Sequence, residues 1–167
     1  MSAPDAPDTF GGEPIEECVR MDLPDLPDVH ELARQDTEDG VQQQIVGAIV
    51  DHGGEILLLR RLPADFRGGA WEFPSGKVEP GEDLMTALHR EVAEETALTI
   101  ARVTGYLGSF DYTSRAGRHN RQHTWSVTVD GADDVRLTEH DAYTWVRADQ
   151  EHPVSDDLKK LISAHFG

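Results

Sequence analysis

The sequence predicts an α/β fold, a mixed β-sheet flanked by helices, preceded by an acidic N-terminal extension. Three observations lead there. Two β-rich runs, Gln44–Val50 and Glu55–Leu59, are separated by the turn-forming Asp51-His52-Gly53-Gly54, which reads as a hairpin. Residues Glu82–Thr96 contain no Gly or Pro and are rich in Leu, Ala and Glu, which reads as a helix. Further strands and a last helix follow, without the regular alternation of a parallel β/α protein.

Taken in order, Ala70–Phe73 is a short strand stopped by Pro74. Ile100–Tyr112 and His119–Val129 are strands joined by a polar loop around Ser114–Arg118. In the second of them His119, Arg121, His123, Trp125, Val127 and Val129 share one face. Tyr143–Arg147 is a short strand, and Asp156–Phe166 is a helix with Ser155 as its N-cap.

The chain has 167 residues, enough for one domain with a full core and too few for two sizeable ones. Its 32 acidic and 15 basic residues give a net charge of −17, which argues against polymeric nucleic acid and anionic membrane surfaces as partners. A single cysteine, Cys18, excludes an internal disulfide framework and a cysteine-rich zinc site. With no signal peptide and no apolar run of spanning length, the expectation is a cytoplasmic protein.

Residues 1–40 hold twelve of the acids, two arginines and five of the nine prolines. This composition predicts a solvated tail or an extended strap. Ile15, Val19, Leu23, Leu26, Val29 and Leu32 are spaced apolar anchors, suited to docking on the domain or across a homodimer. The reading divides the chain into this extension and a domain over 41–167.

The helix at 82–96 carries the chemistry. At about 100° per residue, Leu84, Met85, Leu88 and Val92 form an apolar stripe, and Glu91 and Glu95 fall at its edge with Glu94 on the other flank. Glutamates crowded beside a buried stripe repel one another and lose hydration, costs that a bound divalent cation offsets. The alternative is a surface pattern of ion pairs, with Arg90 and Glu94 four residues apart. The strand-loop Trp71-Glu72-Phe73-Pro74-Ser75-Gly76-Lys77-Val78-Glu79-Pro80-Gly81-Glu82 leads into this helix.

Gly76, Glu82, Arg90, Glu91, Glu94 and Glu95, with Val92 and Leu98 in aliphatic slots, resemble the box of the Nudix hydrolase family. At a chance match of about one in fifteen per fixed slot, six together are on the order of one in ten million. One slot departs: Ala97 stands where the family has Gly, at a helix exit where Gly suits a left-handed cap.

The resemblance implies an α/β/α sandwich and a metal-dependent pyrophosphohydrolase. The approach to the box and softer later matches look most similar to the MutT-type, CTP-hydrolysing members. It implies Mg²⁺, with Mn²⁺ as a substitute, held by Glu91, Glu94, Glu95 and the Ser75 carbonyl. Glu91 or Glu139 would act as general base, and Arg90 would orient the glutamates. Arg61, Phe73, Arg121, His123, Ser155 and Asp156 are the substrate-binding candidates. Of Arg60 and Arg61, alternation lets only one face a cleft, and the resemblance favours Arg61. The expected partner is a small-molecule nucleoside triphosphate, with nucleotide sugars, ADP-ribose or other diphosphates as alternatives. A nucleotide-binding regulatory domain without turnover is the alternative of another class.

Overall fold

A computed structural model describes residues 25–151 and 153–167. The elements run α1 (Val29–Glu38), β1 (Gln43–His52), β2 (Glu55–Arg61), β3 (Trp71–Glu72), β4 (Ser75–Lys77), α2 (Leu84–Thr96), β5 (Ile100–Thr113), β6 (His119–Val129), β7 (His140–Arg147) and α3 (Asp156–Phe166). The strands form one mixed sheet in the order β3-β2-β1-β6-β5, with β4 against β1 and β7 against β2. All pairs are antiparallel except β1 with β6, which run parallel from Gln43↔Asn120 to Asp51↔Thr128.

Strand alternation divides the core in two. On one face Val46, Ala48, Val50, Leu57, Leu59, Trp125 and Val127 pack under Leu84, Ala87, Leu88 and Val92 of α2. On the other, Ile49, Ile56, Leu58, Phe73 and Val146 pack under Leu161 and Ile162 of α3. The result is an α/β/α sandwich. Among the described residues no helix is long and apolar enough to cross a membrane.

The sheet splays where the site lies. β1 and β2 pair only at the hairpin end, Asp51↔Ile56 and His52↔Glu55. Beyond it β2 takes β3 in place of β1, with β7 along its other edge throughout, while β1 takes β4 at Ile45–Gly47. The Phe73-Pro74 step bridges the gap, and the Pro74 carbonyl accepts from the Ala48 N–H at 2.9 Å.

The extension differs from the expected strap. Residues 29–38 form a helix, N-capped by the Asp28 carboxylate on the His30 N–H at 2.9 Å. Leu26, Val29 and Leu32 do dock on the core, as their spacing predicts. Ile15, Val19, Leu23 and Cys18 lie outside the described residues. What fixes α1 is polar. Asp36, 2% exposed, accepts from Gln44 Nε2 at 2.6 Å, Arg121 Nη1 at 3.0 Å and His123 Nε2 at 2.7 Å.

Candidate active site

The loop into α2 is built to bring carboxylates together. Asp83 caps the helix by accepting from the Thr86 N–H at 2.7 Å. Glu82, the residue before it, accepts twice from Arg90, at 2.8 and 2.7 Å, and its carboxyl is held down to about 2 chiefly by that guanidinium. Arg90 also donates to Glu91 at 2.8 Å, to Glu94 at 3.1 Å and to the Lys77 carbonyl at 3.0 Å. One guanidinium therefore ties the loop to the helix and spaces the glutamates along it. The i, i+4 surface pair with Glu94 exists, but as one spoke of this hub.

Glu91 and Glu95 lie toward the sheet. Gly76 leaves room for the first: a Cβ at that position would sit 2.0 Å from the Glu91 Cδ. Glycine is required here for space, so that β4 and the Glu91 carboxyl can meet. Burial pushes the Glu91 carboxyl up, Arg90 opposes, and Glu94 and Glu139 push it further. Glu95 is 5% exposed. It accepts from the Ser75 N–H at 3.0 Å, yet burial, reinforced by Glu91, Glu72 and Glu139, pushes its carboxyl up to about 9.

This donor set fits a hard divalent cation. The groups are carboxylates, desolvated and mutually repelling, and an ion would relieve both penalties. Among the described residues the oxygens are not gathered around a ready-made centre, because Arg90 engages Glu91 and Glu94 and the Ser75 amide engages Glu95.

Beside this cluster, on the α3 face, opens a cleft of about 490 Å³. The glutamates of α2 do not line it; it meets them at Ser75 and Glu72. Arg61 lines it, with Nη1 donating to Glu72 at 3.3 Å, while Arg60 turns away to Asp141 at 2.7 Å and over Trp71. Phe73 is both core and cleft wall. Ser155 is at the cleft and caps α3 by accepting from the Leu158 N–H at 3.5 Å. Asp156 is not among the lining residues; its neighbour Asp157 is. Glu139 is exposed on the approach to β7, near enough to Glu91 and Glu95 to raise both.

Two candidates require correction. Arg121 and His123 do not line the cleft: their face of β6 is covered by α1. Arg121 donates to Asp111 at 2.7 and 2.9 Å, Asp39 at 2.8 Å and Asp36 at 3.0 Å. His123 sits between Asp36 and the Tyr106 hydroxyl, each at 2.7 Å. Donating Nε2–H to the carboxylate leaves Nδ1 to accept from the hydroxyl. The cleft takes the opposite face of the same strand, Asn120 and Gln122.

Sequence reasoning also passed over Glu72 and His140. His140 Nε2 donates to Glu72 at 2.9 Å, so Glu72 is held between His140 and Arg61 at the junction of cleft and cluster. The available signal was an acid two residues before the Pro74 bridge, at a strand end that enters the glycine loop.

The comparisons bear on the family and the fold. The model of the NUDIX domain matches residues 41–165. The CTP pyrophosphohydrolase of Escherichia coli is 36% identical over 123 residues, covering 72% of this chain and 89% of that protein. An RNA pyrophosphohydrolase of Caulobacter vibrioides is 30% identical over 124 residues, covering 63% and 72%. The crystal structure of a MutT NUDIX hydrolase from Burkholderia pseudomallei superposes with a TM-score of 0.63 at 26% identity, covering 73% of this chain and 96% of that one. With the arginine-centred glutamate cluster, the glycine that admits Glu91 and the sandwich that carries them, this chain belongs to the Nudix family and is a Nudix hydrolase, a pyrophosphohydrolase of nucleotide-like substrates.

Proposed function

We propose that the enzyme hydrolyses a nucleoside triphosphate to the monophosphate and pyrophosphate, with Mg²⁺ as its ion and Mn²⁺ as a substitute. The observation that carries this is the pair of desolvated carboxyl groups, Glu91 and Glu95, joined through Ser75 and Glu72 to a cleft with aromatic walls and cationic side chains. Glu91, Glu94, Glu95 and the Ser75 carbonyl are the proposed ligands. A bound divalent ion supplies Lewis-acid polarisation of the phosphoryl group and a more acidic water.

The chain's own residues do the rest. Arg90 keeps Glu91 and Glu94 apart and oriented, because its donors engage both at once. Arg61 presents a guanidinium to the substrate phosphates while Glu72 fixes its direction. Glu91, or Glu139 beside it, accepts the proton of the attacking water; the raised Glu91 carboxyl brings its basicity closer to neutral pH, where a base is most useful. The water oxygen bonds to the β-phosphorus, the bond from that phosphorus to the α-bridging oxygen breaks, and the monophosphate leaves on that oxygen.

Hydrolysis in ¹⁸O-water tests the reading. The label is expected in pyrophosphate alone. Label in the monophosphate would move the attack to the α-phosphorus, and release of inorganic phosphate with a nucleoside diphosphate would overturn the triphosphate reading.

A further inference from the structure

At the mouth of the cleft the β2–β3 loop and the β5–β6 loop meet through side chains. The Arg115 Cζ lies 5.6 Å from the Phe66 ring centroid, and the Arg67 Cζ lies 5.5 Å from the same ring. All three residues line the cleft. Phe66 is 52% exposed, the largest exposure among the big apolar side chains of the described residues, and Tyr112, another of the exposed ones, lies in the same lining.

Both loops are ordered by their own backbone. In the first, Asp65 N–H donates to Leu62, Gly68 to Asp65, Gly69 to Arg61 and Ala70 to Arg67, at 2.9 to 3.1 Å. Arg67 holds a left-handed φ of 58°, a conformation that costs a non-glycine residue about 1 kcal/mol or more and recurs at ligand clamps. In the second, Ser114 N–H donates to Arg118 and Gly117 N–H to Ser114, each at 2.9 Å. An apolar ring held half out of water with two guanidiniums within 6 Å of its centroid contributes little to folding, and no carboxylate pairs with Arg67 or Arg115 among the described residues.

The register says which end of a substrate meets this stack. Ser75 lies opposite Gly47, and Gly47 opposite Thr124. From Thr124 back to His119, where the β5–β6 loop ends and β6 starts, is five residues, roughly 17 Å along the strand. Ser75, Glu72, Phe66 and Arg115 line the same cleft, so a nucleotide with its diphosphate by Ser75 and Glu72 and its nucleoside directed along β6 would reach the loops.

We propose that Phe66 and Arg115 form a clasp that stacks the nucleobase of the substrate, with Arg67 bracing the ring. Resting on the nucleotide reading above, it deepens that reading: recognition at this point is of an aromatic base by its face. Stacking on a ring or guanidinium plane uses the π-face that every base has, so the clasp favours nucleotides over base-free diphosphates without choosing among bases.

The test uses the full chain with Mg²⁺, and compares a nucleoside triphosphate with ribose 5-triphosphate. Phe66→Ala and Arg115→Ala are expected to raise the KM for the nucleotide roughly tenfold or more, with kcat within a few fold, and to erase most of the preference over ribose 5-triphosphate. Phe66→Tyr keeps a stacking face and is expected to keep the preference. Circular dichroism and melting temperature monitor the fold. A wild type that releases pyrophosphate from nucleotides, with variants whose KM and preference do not move, overturns the clasp alone. A wild type that hydrolyses no nucleoside triphosphate overturns both this inference and the triphosphate reading.

Discussion

Removing one charge at Glu95 is expected to stabilise the metal-free protein while disabling it as an enzyme. In the folded state the Glu95 carboxyl titrates at about 9, against an ordinary value of 4.5, mainly because it is buried. At pH 7 folding must therefore return a proton that the unfolded chain has lost, 2.5 pH units above its ordinary value of 4.5, which costs about 3 kcal/mol. The sign follows from an acid whose folded pKa is raised. The penalty is absent below about pH 4.5, grows as pH rises, and levels off above about pH 9. Glu95→Gln abolishes it and keeps an oxygen to accept the Ser75 N–H. For a chain of this length the gain corresponds to roughly 6–12 °C in melting temperature. The assay is thermal and urea denaturation of both proteins in EDTA at pH 5, 7 and 8.5. Adding Mg²⁺ should then stabilise the wild type and have a much smaller effect on the variant. A variant no more stable than wild type at pH 7, or a difference independent of pH, would refute the account of the desolvated carboxylate.

Five further outcomes are expected. Glu91→Gln and Glu95→Gln lower turnover roughly a hundredfold or more, with circular dichroism unchanged; turnover within a few fold of wild type would remove both from the chemistry. Gly76→Ala drives a Cβ into the Glu91 carboxyl and lowers kcat at least tenfold, checked by saturation kinetics in Mg²⁺. Ala97→Gly relieves a φ of 61° at an exposed helix cap and raises stability by about 0.5–1 kcal/mol in urea melts, with turnover unchanged. Asp36→Ala leaves Arg121 and His123 without their buried partner and lowers stability by about 3 kcal/mol; deletion of residues 1–38 likewise lowers the melting temperature, while turnover per site with Mg²⁺ stays largely intact.

What was legible in the sequence is what local pattern decides. Two β-rich runs and the Asp51–Gly54 turn between them gave the first hairpin, and the glycine-free run and the Ser155 cap gave the two helices of the domain. Elements decided by distant partners were not legible. Helix α1 sits in acid-rich chain of low apolar content, and its buried anchor, Asp36, has partners on strands β1 and β6. Strand β4 is three residues long and exists through its pairing with β1. Strand β7 begins three residues before the run at Tyr143, because β2 extends its ladder to His140. For β6, alternation correctly grouped His119, Arg121 and His123 but could not tell which face meets the cleft; the covering helix decided that. Helical spacing put the glutamates beside the apolar stripe, and the glycine loop before them, with the resemblance of the whole box, marked them as the site.

The parallel pairing of β1 and β6 also sets an order of assembly. Its partners are 77 residues apart throughout, as in Gln43 with Asn120. By contrast β1, β2, β4 and α2 are near neighbours in the chain, so the glycine loop and its glutamates can close early, at small loop-closure cost. The edge of β1 that β6 will cover, with the apolar run Ile45–Val50, must wait until the chain has been made past residue 128. At ribosomal speed that is roughly 4–15 seconds of unpaired strand edge. A nascent chain carrying most of a −17 charge repels its copies through that interval, which gives the acidic composition a use in the folding of the protein that is separate from its chemistry.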